Sequence, residues 1–157
     1  DTAGLGRVWP KMLAAYLPNN SRVDWVTGPF SEPPTFPDTV TSIQFVNHVA
    51  PASLNNLMHH TRIAISVFGV SFFELIASGV PTVVFSPYGA KDTRVLDEIN
   101  REGIALVAIN ADDAARQAAV LVMDRDLQIR LSKRARDRIR SFDGQYFARE
   151  IRQLLVR

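Results

Sequence analysis

The chain contains no cysteine in its 157 residues. This excludes disulfide bonds, thiolate metal sites and cysteine nucleophiles, and it suits a reducing compartment. No apolar run approaches the roughly 20 residues that span a bilayer, and the N-terminus lacks the basic-then-apolar order of a signal peptide. We therefore expect a soluble cytoplasmic protein, with peripheral attachment to a membrane as the open alternative.

Neither low-complexity segments nor internal repeats occur. Hydrophobic residues make up 46% of the sequence and charged residues 22%, which is the composition of a globular protein. A chain of this length can bury roughly two-thirds of the surface of its unfolded form. The sequence therefore predicts one domain, residues 1–157.

Basic charge is scarce until the last fifth of the chain. Residues 1–124 carry eight Lys or Arg against twelve Asp or Glu, whereas residues 125–157 carry ten against four. Such a basic tail could bind RNA or an anionic membrane. The alternative is a solvated helix face, since Leu131, Ala135 and Ile139 are spaced four apart as in one buried stripe. We favour the second interpretation, and we expect no nucleic acid partner.

Apolar strand-like runs alternate with helical patterns throughout the sequence. This alternation predicts an α/β fold with a doubly wound, parallel, Rossmann-like sheet, in which ligands bind at the carboxyl ends of the strands. The first segment, "DTAGLGRVWPKML", is a turn and a helix with no strand before it. We therefore expect the first strand of the sheet to be truncated.

The predicted elements follow from period, turn residues and caps. The first helix, from Gly6 to Leu17, is expected to bury Val8, Leu13, Tyr16 and Leu17. The predicted strands are 22–28, 42–46, 62–66, 81–85 and 104–109. The other predicted helices are 52–60, 70–78, one ending at Gly103, 111–123, 126–141 and 144–156.

The stretch "SVFGVSFFELIASGVPTVVF", residues 66–85, sets one glycine and one glutamate in an apolar segment. A glycine that opens a helix exposes free N–H groups, here of Gly69, Val70 and Ser71, to an anion such as diphosphate. A carboxylate further along that helix, Glu74, could accept hydrogen bonds from ribose hydroxyls. The alternative from spacing alone is a tight-turn glycine and a solvated glutamate.

The extended segment "SVFGVSFFELIASGVPTVVFSPYGAKD" resembles the signature of the C-terminal domain of GT-B nucleotide-sugar enzymes. That signature is Gly-Gly-x-Thr-x-x-Glu followed by Ala-x-Gly-x-Pro. Similar families are the lipid II-forming N-acetylglucosaminyltransferases and the UDP-sugar hydrolases of pseudaminic acid synthesis. "DTAGLGRVWPKML" and "VNHVAPASLNNLMHHTRIAIS" resemble the flanking segments, so the likeness covers most of the chain.

The resemblance implies a nucleotide-sugar ligand, most simply UDP or a UDP-sugar, and no other cofactor. It implies that Glu74 holds the ribose and that the turn and helix start meet the diphosphate. The nucleotide-binding residues implied are Gly69, Val70, Ser71, Phe72, Glu74, His48, Val49, Ala50, Thr2 and Gly4. The residues implied near the sugar are Lys91, Asp92 and Thr93.

Three positions depart from the family signature: Phe68 replaces a glycine, Ser71 stands at the threonine position, and Asp92 stands where glutamine is common. GT-B enzymes also work between two domains, and this chain matches the second. The resemblance therefore implies a glycosyltransferase or a UDP-sugar hydrolase as the parent protein, and a separate N-terminal domain as its partner. Catalytic residues are not assigned, and this half alone is expected to be inactive.

Three further patterns are weak. His59 and His60 are adjacent and have no partner at helical spacing, so we expect surface histidines and no metal site. His48 is predicted in a loop, where it either lines the cleft or makes a structural hydrogen bond. "GLGRVW" has two glycines of a dinucleotide fingerprint, but Trp9 replaces the third, so an NAD site is not predicted.

Overall fold

The computed structural model describes residues 4–37, 42–49, 51 and 54–141. The described helices are α1 (Leu5–Tyr16), α2 (Leu54–His60), α3 (Val70–Ala77), α4 (Thr93–Glu102), α5 (Ala111–Met123) and α6 (Arg125–Ser141). The strands are β1 (Arg22–Thr27), β2 (Gln44–Val49), β3 (Ala64–Val67), β4 (Thr82–Phe85) and β5 (Leu106–Ala108). Each lies where the sequence predicts one. The helix predicted at 144–156 lies outside the described residues.

The strands of the described residues form two parallel sheets, whereas the sequence predicted one. β1 pairs with β2, and β4 pairs with β3 on one side and with β5 on the other. β1 and β3 have no ladder between them. The α/β class and the parallel pairing are confirmed.

Helices cover both faces of the three-stranded sheet, and the side chains of β4 alternate between these two faces. Val83 and Phe85 face a core that includes α1 and α5, whereas Val84 faces a core that includes α3 and α4. The double winding is therefore present in this sheet. α6 contributes Leu131 to the first core and Ala135 to the second, so this helix packs against both cores.

The two-stranded sheet packs onto the first of these cores. Val23 and Trp25 of β1 and Phe45 of β2 contact it with one face. The central residue is Trp9 of α1, whose ring meets Trp25 edge-on on one side and Phe85 on the other, each at 6.1 Å between ring centroids. Its indole N–H donates to the carbonyl of Ala111, at 2.9 Å. Trp9 therefore joins both sheets and α5.

The buried stripe of α1 agrees with the predicted one at Leu13 and at Leu17, which packs on the first core, but not at Val8 or Tyr16. Leu5, Trp9 and Leu13 are buried, whereas Val8 and Tyr16 are exposed. The stripe falls there because Trp9 is the residue that fits between the two sheets. Tyr16 instead donates from its hydroxyl to Asp112 and lies under the guanidinium of Arg116.

Candidate functional site at the carboxyl ends of the strands

The carboxyl ends of both sheets meet at the start of α1. Trp9 contacts Phe85 at the end of β4 and Ala111 just after β5. The loop after β1 reaches the same helix, because the N–H of Thr35 donates to the carbonyl of Gly6 at 2.8 Å. We call this region, the strand ends with the loops that follow them, the carboxyl edge. It is the place where parallel α/β sheets hold their ligands.

At this edge, β3 passes through Phe68 and Gly69 directly into α3. The N–H of Phe68 still donates to the carbonyl of Phe85, at 2.8 Å, so the turn is anchored on β4. Gly69 has extended backbone angles, and a Cβ built on it would meet nothing within 4 Å beyond its chain neighbours. A ligand can therefore approach the backbone closely at this turn.

The first N–H groups of α3 are available to a ligand. Within the described residues, no acceptor pairs with the backbone N–H of Gly69, Val70 or Ser71, while the N–H of Phe72 donates to the carbonyl of Gly69 at 3.1 Å. Three free donors at the positive end of a helix favour an anion. The Phe72 ring is fully buried, so this residue supports the turn from beneath.

Glu74 lies on the exposed face of α3, one turn after the free donors. Val70, Ser71 and Glu74 are exposed, while Phe72, Leu75 and Ile76 are buried. Four residues of helix separate Glu74 from Val70 by about 6 Å along the axis. No hydrogen bond or ion pair joins the Glu74 carboxylate to another residue in the described part of the chain. Its acceptor oxygens therefore remain open to a ligand.

Phe68, which replaces a signature glycine, packs sideways into an aromatic cluster. Its ring centroid lies 6.0 Å from that of Phe72 and 5.8 Å from that of Phe73. The side chain is partly buried against the core beneath α3. Its bulk is therefore accommodated by packing, and this gives the turn a rigid aromatic base.

The loop after β4 lies beside this turn, because β3 and β4 are paired to their ends. Ser86 donates a short hydrogen bond to the carboxylate of Asp92 and accepts one from the N–H of Tyr88, at 3.1 Å. Lys91 and Thr93 are exposed on either side of Asp92. Asp92 is thus held in place by Ser86, a residue that the sequence did not single out and that only its place after a strand could have suggested.

The residues predicted near the base are distributed differently. His48 and Val49 lie inside β2, and the prediction of a loop at His48 is wrong. The imidazole Nε2 of His48 is 2.8 Å from Oδ1 of Asp24, on the sheet face opposite to the core. His48 therefore makes a structural contact on the outer face of the sheet. Ala50 and Thr2 lie outside the described residues.

β2 extends beyond its predicted end at residue 46 because its polar side chains form hydrogen bonds with side chains of β1. Asn47 accepts a hydrogen bond from the hydroxyl of Thr27, at 2.6 Å, and His48 meets Asp24. The carboxylate of Asp24 also contacts Arg22, at 2.8 Å. The guanidinium of Arg22, more than the imidazole, holds the pKa of Asp24 below its ordinary value despite partial burial.

Gly4 is the last of the residues predicted to contact the nucleotide. It is the N-cap of α1 with φ of 64°, and its carbonyl accepts from the N–H of Arg7 at 3.0 Å. Because α1 starts where both sheets end, Gly4 is at the carboxyl edge. It therefore shares this edge with the start of α3 and with the loop that carries Lys91, Asp92 and Thr93.

Apolar side chains surround the carboxyl edge. Each of the five described strands ends in, or is followed within three residues by, a large hydrophobic residue that is 56 to 100% exposed: Phe30, Val49, Val70, Tyr88 and Ile109. We call these five residues the apolar rim of the carboxyl edge. Val70 of this rim begins α3, one turn before Glu74.

His59 and His60 are exposed at the end of α2, and no group of three His, Cys, Asp or Glu that could hold a metal ion occurs in the described ranges. Within those ranges, too, none of the helices is long and apolar enough to cross a bilayer.

No protein-family model matches the chain. No curated protein matches it significantly. Evidence for its function therefore comes from the residues of the carboxyl edge.

Proposed function

We propose that the chain binds a nucleotide-sugar, with a UDP-sugar as the first candidate, at the start of α3. One observation carries the proposal: the open carboxylate of Glu74 lies on α3 one turn after the free N–H groups of Gly69, Val70 and Ser71. The donors suit a diphosphate, and the carboxylate suits the two hydroxyls of a ribose. A nucleoside diphosphate carries these groups in sequence, so one helix turn can recognise both.

The sugar would lie toward the loop after β4. Asp92, oriented by Ser86, and the exposed Lys91 and Thr93 offer acceptors and donors for its hydroxyls. β4 lies next to β3, so a sugar attached to a diphosphate at Gly69 would reach this loop directly. His48 is not part of this proposed site because it faces Asp24 on the outer side of the sheet.

The sheet topology is compatible with a nucleotide-binding fold. A parallel strand placed between β1 and β3 would join the two sheets in the order 3-2-1-4-5-6, which is the order of dinucleotide-binding domains. We propose that this arrangement is the C-terminal half of a GT-B enzyme, a glycosyltransferase or a sugar-nucleotide hydrolase. The apolar rim supports a second domain that covers the carboxyl edge and supplies the acceptor site and catalytic groups.

Titration of the chain with UDP and UDP-N-acetylglucosamine, by calorimetry and by NMR, tests this proposal. Glu74→Gln keeps the size of the side chain and removes its charge. A hydrogen bond to a charged group contributes roughly 1.5 to 3 kcal/mol, so UDP affinity should fall about tenfold or more. The analogue that lacks the ribose 2′-hydroxyl should bind the parent chain more weakly than UDP, and the variant should discriminate little between the two.

Glu98→Gln is the matched control, because Glu98 is an exposed helical glutamate on α4, in the middle of the helix. It should leave UDP affinity unchanged. If neither UDP nor the UDP-sugar produces heat or shifts at millimolar concentration, the proposed ligand is wrong. If Glu74→Gln lowers the melting temperature while affinity is kept, Glu74 is a structural residue and the ribose assignment fails.

A further inference from the structure

The corner where α5 turns into α6 carries exposed apolar side chains. Val120 and Met123 in the last turn of α5 and Ile129 near the start of α6 are 55 to 71% exposed. Asp124 alone connects the two helices, and its carboxylate accepts from the N–H of Leu127 at 2.8 Å. The turn is therefore capped, and the three apolar side chains are held outward by regular structure.

A basic groove adjoins these apolar side chains. It has a volume of about 500 Å³ and is bordered by one face of α6, with Arg125, Lys133, Arg136 and Arg140 as its cations. Among the described residues that line the groove, Asp137 is the one with a carboxylate, and Lys133 donates to it at 2.6 Å. Arg125 also lines a shallow cavity with Val120 and Met123, whose lining includes the carboxylates of Asp124 and Asp126. The apolar and basic parts therefore form one continuous surface, which we call the α5–α6 corner.

The composition of this surface distinguishes among anionic partners. Proteins that bind single-stranded RNA stack bases on aromatic side chains, and none of the described residues that line the two cavities is aromatic. Binding of a small free anion would not require the exposed apolar side chains of Val120, Met123 and Ile129. Cations beside exposed aliphatic side chains are the pattern of proteins that lie on the surface of an anionic bilayer.

We propose that the α5–α6 corner docks on an anionic membrane surface. Val120, Met123 and Ile129 enter the interfacial layer, and Arg125 and Arg140 contact lipid phosphates. The groove reaches Pro81, just before β4, whereas the candidate nucleotide site follows the other end of that strand. Docking thus leaves the carboxyl edge open to solution, and the proposal does not depend on the ligand assigned there.

Sedimentation with vesicles tests the proposal on the intact chain. The chain should bind vesicles of equimolar phosphatidylcholine and phosphatidylglycerol but not those of phosphatidylcholine alone, and added salt should weaken the binding. Arg125→Gln with Arg140→Gln removes two cations, each of which contributes about fivefold, so partitioning should fall about twentyfold or more. Met123→Ser with Ile129→Ser should reduce it as well, while the melting temperature of each variant stays near that of the parent.

Two control variants on α4 carry matched changes on another face. Arg94→Gln with Arg101→Gln removes two exposed cations, and Val95→Ser removes an exposed apolar group. Both should bind vesicles like the parent chain. The proposal is overturned by failure to bind the anionic vesicles, by equal binding to neutral ones, or by an apolar double variant that binds normally. Tight binding of single-stranded RNA that displaces the vesicles would also overturn it, in favour of a nucleic acid surface.

Discussion

The guanidinium group of Arg136 lies directly against Gly79, the glycine that ends α3. A Cβ built on Gly79 would collide with Nε of that arginine. Arg134 makes the same contact with Gly103 at the end of α4, and Arg138 forms an ion pair with Glu102 at 2.8 Å. Cations are favoured at helix C-termini, where carbonyl groups lack partners and the helix dipole is negative. Part of the basic charge of α6 is therefore structural.

Gly79→Ala should destabilise the fold by about 1 to 2 kcal/mol. Gly79 has φ of 73°, a conformation that costs an alanine roughly 1 to 2 kcal/mol, and the added methyl group must also displace Arg136. Urea unfolding measures the effect. Gly28→Ala is the control, because a Cβ there would meet only the hydroxyl of Ser31, at 3.6 Å. Equal stability of the two variants would contradict the close contact.

Replacement of Arg134, Arg136 and Arg138 by glutamine should leave UDP affinity nearly unchanged. These residues contact the C-terminal ends of α3 and α4, away from the N-terminal turn of α3 where the nucleotide is proposed to bind. The melting temperature should fall by a few degrees instead, because the helix ends lose their cations. Calorimetric titration with UDP at low and high salt would check this. A large, salt-sensitive loss of affinity would place the basic helix in the site.

Trp9→Ala should destabilise the chain by about 3 to 5 kcal/mol, the usual cost of removing a large buried aromatic side chain. Trp9 is 6% exposed and contacts both sheets, so its loss should also separate them. Fluorescence of Trp25, the second of the two tryptophans in the chain, reports this as a red shift. Tyr16→Phe, which removes an exposed hydrogen bond on the same helix, should change little. Unshifted Trp25 emission in Trp9→Ala would contradict the bridging role.

Asp24→Asn should lower stability at neutral pH but not in strong acid. Arg22 depresses the pKa of Asp24 in the folded state, so the ionised carboxylate stabilises the fold above its unfolded pKa. That contribution is lost as the pH falls through the folded pKa. The difference in melting temperature between parent and variant should therefore shrink as the pH is lowered below about 4. A difference that grows in acid would show that the pair does not act in this way.

The helix and strand positions could be predicted from the sequence because their ends are marked locally. Gly79 and Gly103 follow helices as predicted, with the N–H of Val80 donating to Leu75 and that of Ile104 to Ile99. The apolar stripe of α6, with Leu131 and Ala135 buried and Ile139 packed on the core, is also confirmed. These features depend on residues a few positions apart.

Features that depend on distant partners could not be predicted. His48 belongs to a strand because Asp24 and Thr27 on β1 hold it and its neighbour Asn47. Trp9 is buried, and Val8 is not, because two sheets converge on one side of α1. Ser86 orients Asp92, which lies six positions later in the chain. The assignment of a nucleotide to Gly69 and Glu74 remains a prediction, with which the geometry of α3 is compatible.

Parallel pairing has a consequence for how this chain folds. Arg22 pairs with Gln44, Ala64 with Thr82, and Val83 with Leu106, so each ladder closes a loop of about twenty residues. Loop-closure entropy opposes every such step before hydrogen bonds compensate for it. The α5–α6 pair, joined by one residue, has no such delay. We therefore expect the α5–α6 hairpin to form early. The parallel strand pairs should assemble on it slowly, and their formation should be the rate-limiting step of folding.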